Sequence, residues 1–237
     1  LRYSVASRGL GDVYKRQELK NKLDISEEKS PLRFVTAASL FDGHDAAINV
    51  MRRMIQAEGA EVIHLGHNRS VREIVEAAIQ EDADGIAISS YQGGHNEFFK
   101  YMYDMLNQLG SQHIKIFGGG GGTITEEEIA SLEEYGIEKI YHPNDGMRMG
   151  LDGMIKDLIV RCEKSRRLGG KHQSALNNPD LATSKKISAI EDNDFSEAKL
   201  AVLRKEWELA SDNCIVVGIT GTGGSGTVLL YTSPSPR

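Results

Sequence analysis

The sequence predicts an α/β fold: one five-stranded parallel sheet with helices on both faces. Three observations carry that reading. Short apolar runs recur between residues 32 and 163, of the kind that fills buried parallel strands. Stretches with helical apolar spacing separate them, and two helix starts are marked by capping boxes, Ser70 with Glu73 and Thr125 with Glu128. Alternating strands and helices imply right-handed crossovers, and those make the strand pairing parallel.

The elements follow in order. Leu32–Leu40 is the first strand, and Ala47, Val50, Met51, Met54 and Ile55 then repeat at helical spacing. Val62–Leu65 is the second strand, and Val71, Ile74, Val75, Ala78 and Ile79 make one face of the next helix. Gly85–Ser89 is the third strand, followed by a helix that buries Phe98, Met102, Met105 and Leu109. Ile114–Phe117 is the fourth, Ile137–Tyr141 the fifth, and a last helix occupies residues near 147–163. The common solution for five such units is the flavodoxin-like (Rossmann-like) order 2-1-3-4-5, whose ligands sit beyond the carboxyl ends of the strands beside the first strand. The loops after strands one, three and four are therefore where a site is expected.

Composition narrows the function. The 237 residues give room for one full α/β domain and part of a second. A net charge of −6, from 28 basic and 34 acidic residues, argues against a nucleic-acid surface. No apolar run approaches the roughly 20 residues needed to span a bilayer, and the N-terminus lacks a signal-peptide pattern. A cytoplasmic protein without membrane partners is the expectation. Cys162 and Cys214, far apart and outside the periodic core, fit reduced thiols.

The ends are set aside. Leu1 stands where an initiator Met is expected, and the stretches Gly11–Gln17 and Leu229–Arg237 match nothing in the pattern between them. Residues 1–17 and 227–237 are therefore read as non-native tails of adaptor type, with disordered natural tails as the alternative. Residues 164–193 are polar and read as a linker, which with the Trp207-bearing helix near 195–210 extends to residue 212. Residues 213–226 begin a second α/β unit: the strand Cys214–Val217 runs into Gly221–Gly226, the front of a P-loop. Gly221, Gly224 and Gly226 would cradle phosphate, but Thr227 and Val228 stand where Lys and Ser or Thr are required.

The loop after the first strand reads Phe41-Asp42-Gly43-His44-Asp45. With Gly43 permitting a tight turn, the Asp42 carboxylate can accept the Nδ1 proton of His44, fixing the tautomer and leaving Nε2 free for a metal. Taken alone, a strand-end His is more often a satisfied loop residue. The region offers no set of three or four zinc ligands, so a lone His suits a metal that brings its own equatorial ligands, as a haem or corrin does. The loop after the third strand holds Ser89, Ser90 and Tyr91, and admits a bulky ligand or simply a serine cap for the next helix. Five glycines, Gly118–Gly122, follow the fourth strand. They make either a flexible loop or a surface left open for a ligand, and their entropic penalty favours the second.

Asp42-x-His44, Ser89-x-Tyr91 and the glycine run, in that order on those three loops, resemble the D-x-H-x-x-G, S-x-L and G-G signatures of cobalamin-binding domains. Ala47 replaces the usual Gly of the first signature and Tyr91 the usual Leu of the second; both would tighten the cleft. The resemblance implies adenosylcobalamin bound base-off, with His44 as the axial ligand of cobalt and Asp42 and Gly43 supporting it. It further implies that Ser89 hydrogen-bonds the displaced base, that Tyr91 lines its slot, and that Gly121 and Gly122 lie against the nucleotide tail. His95 and Tyr141–Pro143 would be rim residues without chemistry, and His64 and His67 surface histidines after the second strand. No catalytic residue is assigned.

A cobalamin domain at 32–163, a linker and a P-loop start together resemble the fused acyl-CoA mutases of the isobutyryl-CoA type. In those a G-protein chaperone domain, which takes GTP and Mg, precedes a substrate-binding barrel. By that resemblance the parent is a cofactor-dependent isomerase whose partners are the barrel and chaperone domains, and the 237 residues alone would not turn over. A corrinoid methyl carrier and a flavodoxin-like signalling module without corrin are the alternatives.

Overall fold

Phe34 to Ser39 are all buried in β1 (Arg33–Ser39), as only the centre of a sheet covered on both faces allows. In the computed structural model, which describes residues 30–44, 46–169 and 178–211, β1 pairs on one side with β2 (Glu61–Arg69) and on the other with β3 (Gly85–Ser89). Beyond β3 come β4 (Lys115–Gly119) and β5 (Lys139–Tyr141), and every pairing is parallel in the order β2-β1-β3-β4-β5. This is the predicted sheet.

Two clusters of apolar side chains cover it. Alternate residues of β1 serve the two faces, because side chains of a strand point to opposite sides. Val35 and Ala37 pack with Ile74 and Val75 of α2 (Val71–Gln80), Phe99 and Met102 of α3 (His95–Gln108), and Leu132 of α4 (Glu126–Tyr135). Phe34 packs on the other face with Ile55 of α1 (Ala46–Ala57) and Ile155 and Leu158 of α5 (Pro143–Gly169). Both predicted capping boxes form, at Ser70 and Glu73 and at Thr125 and Glu128.

Five expectations need correction. β2 runs past Leu65 to Arg69 with register shifts against β1, Gly66 and Asn68 adopting positive φ. His64 and His67 thus lie within the strand, and half-buried His64 places Nδ1 2.9 Å from Thr36 Oγ1. Helix α5 begins at Pro143 and is kinked at Gly150 (φ 70°). The linker expected at 164–193 is, in its described part, the end of α5 and a further helix, α6 (Pro179–Glu191). Leu181 of α6 joins the first core cluster and Ser184 Oγ donates to the Ile79 carbonyl at 2.7 Å. Cys162 is in the core rather than outside it, only 1% exposed, and burial pushes its thiol well above the ordinary value.

The chain divides at Asp194, and α7 (Glu197–Ser211) belongs to the second unit. Cys214, the glycines Gly221, Gly224 and Gly226, and both terminal segments lie outside the described residues. Among the described residues no helix is long and apolar enough to cross a membrane.

Candidate cofactor-binding site

The carboxyl ends of β1, β3 and β4 bring the three predicted loops together. Asp42 is buried at the first of them. Its Oδ1 accepts from the His44 backbone N–H at 2.8 Å and lies 3.0 Å from His44 Nδ1. Its Oδ2 accepts from the Tyr91 backbone N–H at 2.6 Å. One carboxylate therefore orients the imidazole and ties the loop after β1 to the loop after β3. The His44 side chain is 77% exposed, with Nδ1 engaged and Nε2 left for a ligand. Its ring stands 5.5 Å from that of Tyr91.

Gly43 does not make this turn, contrary to the expectation. It lacks a left-handed backbone, and a side chain there would meet nothing within 4 Å. The left-handed residue is Phe41 (φ 65°), whose N–H donates to Asn68 Oδ1 at 2.8 Å and whose ring is 84% exposed.

Ser89, Tyr91 and Gly121 line one cleft of about 440 Å³. Ser90 instead turns inward, accepting from Ser39 Oγ at 3.0 Å, and α3 has Gly94 at its N-cap, so neither serine caps that helix. Ser89 Oγ is buried with no hydrogen-bond partner. Such an atom is penalised unless a ligand satisfies it. The glycine run divides by role. At Gly118 and Gly120 a Cβ would collide with Phe99 and with the Ser90 carbonyl oxygen, so the chain's own packing demands glycine. Gly121 has φ 58°, and a Cβ there would come within 2.7 Å of the Tyr91 ring. Gly122 borders open space and does not line the cleft.

Besides Ala47 and Tyr141–Pro143, which the sequence reading sets at the cleft or its rim, several lining residues lie beyond that reading. Ala47, Val50 and Met51 of α1 form one wall, Leu151 and Met154 of α5 another. The signal was present: the α1 stripe is wider than its core contact needs, and Val50 is left half exposed. Tyr141 lines the cleft as well, its hydroxyl donating to Asp157 Oδ2 at 2.9 Å; burial, then that carboxylate, raises its pKa far above the usual phenol value. His95 is not on the rim. It is buried at the start of α3.

Apolar walls, a glycine backbone surface and an orphaned hydroxyl fit a large, mostly apolar cofactor with a hydrogen-bonding edge. Among the described residues no group of three His, Cys, Asp or Glu side chains could hold a metal, so His44 suits only a metal carrying its other ligands with it. Residues 32–145 match the B12 binding domain family, and this part of the chain is a cobalamin-binding domain. The chain is 52% identical over 197 residues to the fused isobutyryl-CoA mutase of Cupriavidus metallidurans, covering 82% of this chain and 18% of that protein. It is 67% identical over 136 residues to that of Paraburkholderia xenovorans, covering 57% and 11%. Against that of Geobacillus kaustophilus it is 51% identical over 211 residues, covering 85% and 19%. The chain spans less than a fifth of the length of these relatives.

Proposed function

We propose that this chain binds adenosylcobalamin base-off, with His44 Nε2 on cobalt, as the cofactor domain of a radical acyl-CoA mutase of the isobutyryl-CoA type. The observation that carries this is the Asp42–His44 pair: a buried carboxylate holds Nδ1 of an imidazole whose other face is open. Asp42 fixes the tautomer and strengthens the imidazole as a donor. The Ser89 hydroxyl gives the displaced base a hydrogen bond, and Tyr91 with Gly121 lines its slot. Gly43 and Gly122, where a Cβ would border open space, leave room beside the ligand rather than contacts to it. When bound, the cofactor supplies a weak cobalt–carbon bond as the source of the rearranging radical.

Residues 32–163 supply this site, and α6, within 164–212, packs against α2. Residues 213–226 would begin the G-protein chaperone domain, whose GTP and Mg belong to the parent. That domain and the acyl-CoA-binding barrel are the proposed partners. Paramagnetic resonance of reduced cobalamin bound to the chain tests the ligand. Nitrogen hyperfine coupling should change on isotopic labelling of His and vanish in His44→Ala. Coupling that survives in His44→Ala refutes the assignment.

A further inference from the structure

The two loops that line the cleft, after β3 and after β4, are joined at both ends. At the inner end the Ser90 N–H donates to the Gly119 carbonyl at 2.8 Å. At the outer end the junction is the carboxylate of Glu128. Its Oε2 accepts from the Thr125 N–H at 2.8 Å and lies 3.2 Å from His95 Nε2, while its Oε1 accepts from Asn96 Nδ2 at 3.0 Å. His95 is 3% exposed, and its Nδ1 sits 3.2 Å from the Gln92 carbonyl oxygen. A carbonyl oxygen and a carboxylate, both acceptors, thus flank the buried ring. The contact to Glu128 is close but its angle falls short of a hydrogen bond. Tyr91 and Gly121 lie between the inner and outer joints.

We propose that His95 and Glu128 form a latch that fixes the spacing of the two loops and thereby the width of the cofactor cleft. Neither residue lines the cleft. They are positioning residues, acting through Gln92 on Tyr91 and through Thr125 on the glycine run. A capping box alone does not account for this arrangement. The Ser70–Glu73 box has its partners within its own turn and Arg69, whereas Glu128 reaches across to another helix and to a buried imidazole. The proposal rests on the reading of the cleft as a cobalamin site, and two measurements separate their failures.

The first is cobalamin affinity of the whole chain, by titration of visible absorbance. His95→Leu keeps a buried apolar volume, and Glu128→Gln keeps a capping side chain. Each should weaken binding by roughly 3–30-fold, the range expected for residues coupled to a site without touching the ligand. The double variant should be no weaker than the worse single, since both remove one contact. Ser70→Ala, which damages the other capping box and leaves His95 and Glu128 untouched, should lower Tm with affinity unchanged. Unchanged affinity in both single variants, or an equal loss in Ser70→Ala, overturns the latch. The second measurement is amide hydrogen exchange without cofactor. Protection across 89–94 and 118–125 should fall in His95→Leu while that of β1 holds. Unaltered protection of those loops overturns the latch whether or not cobalamin binds.

Discussion

Asp42→Asn keeps the shape of the side chain and removes its charge. The carboxylate has three donors around it: Tyr91 N–H at 2.6 Å on one oxygen, and His44 N–H at 2.8 Å with Nδ1 at 3.0 Å on the other. An asparagine has one acceptor oxygen and one amide nitrogen that only donates. Turned toward His44, it sets its NH2 against the Tyr91 N–H; turned the other way, it opposes both donors of His44. The first orientation loses less. It forfeits one hydrogen bond to a charged group, worth about 1.5–3 kcal/mol, and leaves buried donors facing each other, for about 1–3 kcal/mol more. Because relaxation shares these terms, the expected destabilisation is about 2–4 kcal/mol. Cobalamin affinity should fall by about 10–100-fold, since the imidazole loses the partner that orients it. Urea unfolding followed by circular dichroism reads the first, and visible-absorbance titration the second. A variant within about 0.5 kcal/mol of the parent, the scatter of harmless surface changes, and with unaltered affinity would refute the role given to Asp42.

Three further outcomes follow from the same geometry. Gly120→Ala should unfold the chain or displace the loop after β4, costing more than about 3 kcal/mol, whereas Gly122→Ala should leave unfolding within about 0.5 kcal/mol of the parent. Equal tolerance at both positions, by urea titration, contradicts the steric division of the glycine run. Hydrogen bonding from the Thr125 backbone, with lesser help from its hydroxyl, His95 and Asn96, holds Glu128 down from 4.5 to about 2. Its stabilising contribution is therefore complete above the ordinary carboxylate pKa and lost as pH falls through about 2. Glu128→Gln should make stability less steep in pH across that interval, and identical slopes for the two proteins would count against it. Leu181→Ala, which empties a fully buried position of α6, should cost about 2–5 kcal/mol. A loss below 1 kcal/mol, by the same titration, would return α6 to the status of a linker.

Local pattern alone determined the sheet, its five strands and both capping boxes, because strand alternation, helical periodicity and cap spacing are written within a few residues of one another. It also placed Asp42, His44, Ser89, Tyr91 and Gly121 on three loops that do converge. Tertiary structure decided what depends on residues distant in sequence. Helix α6 was hidden because its buried stripe is mostly small, with Ser184, Ser188 and Ala189 beside Leu181, so only the groove it fills reveals it. Gly118 and Gly120 looked equivalent to Gly122 until Phe99 and Ser90 set different space around each. The turn before His44 draws its left-handed residue from Phe41, held by Asn68 on the neighbouring strand, rather than from the glycine. His95 gave no signal as a lone histidine; its burial and the carboxylate beside it, brought by the next helix, are set by distance in space and not along the chain.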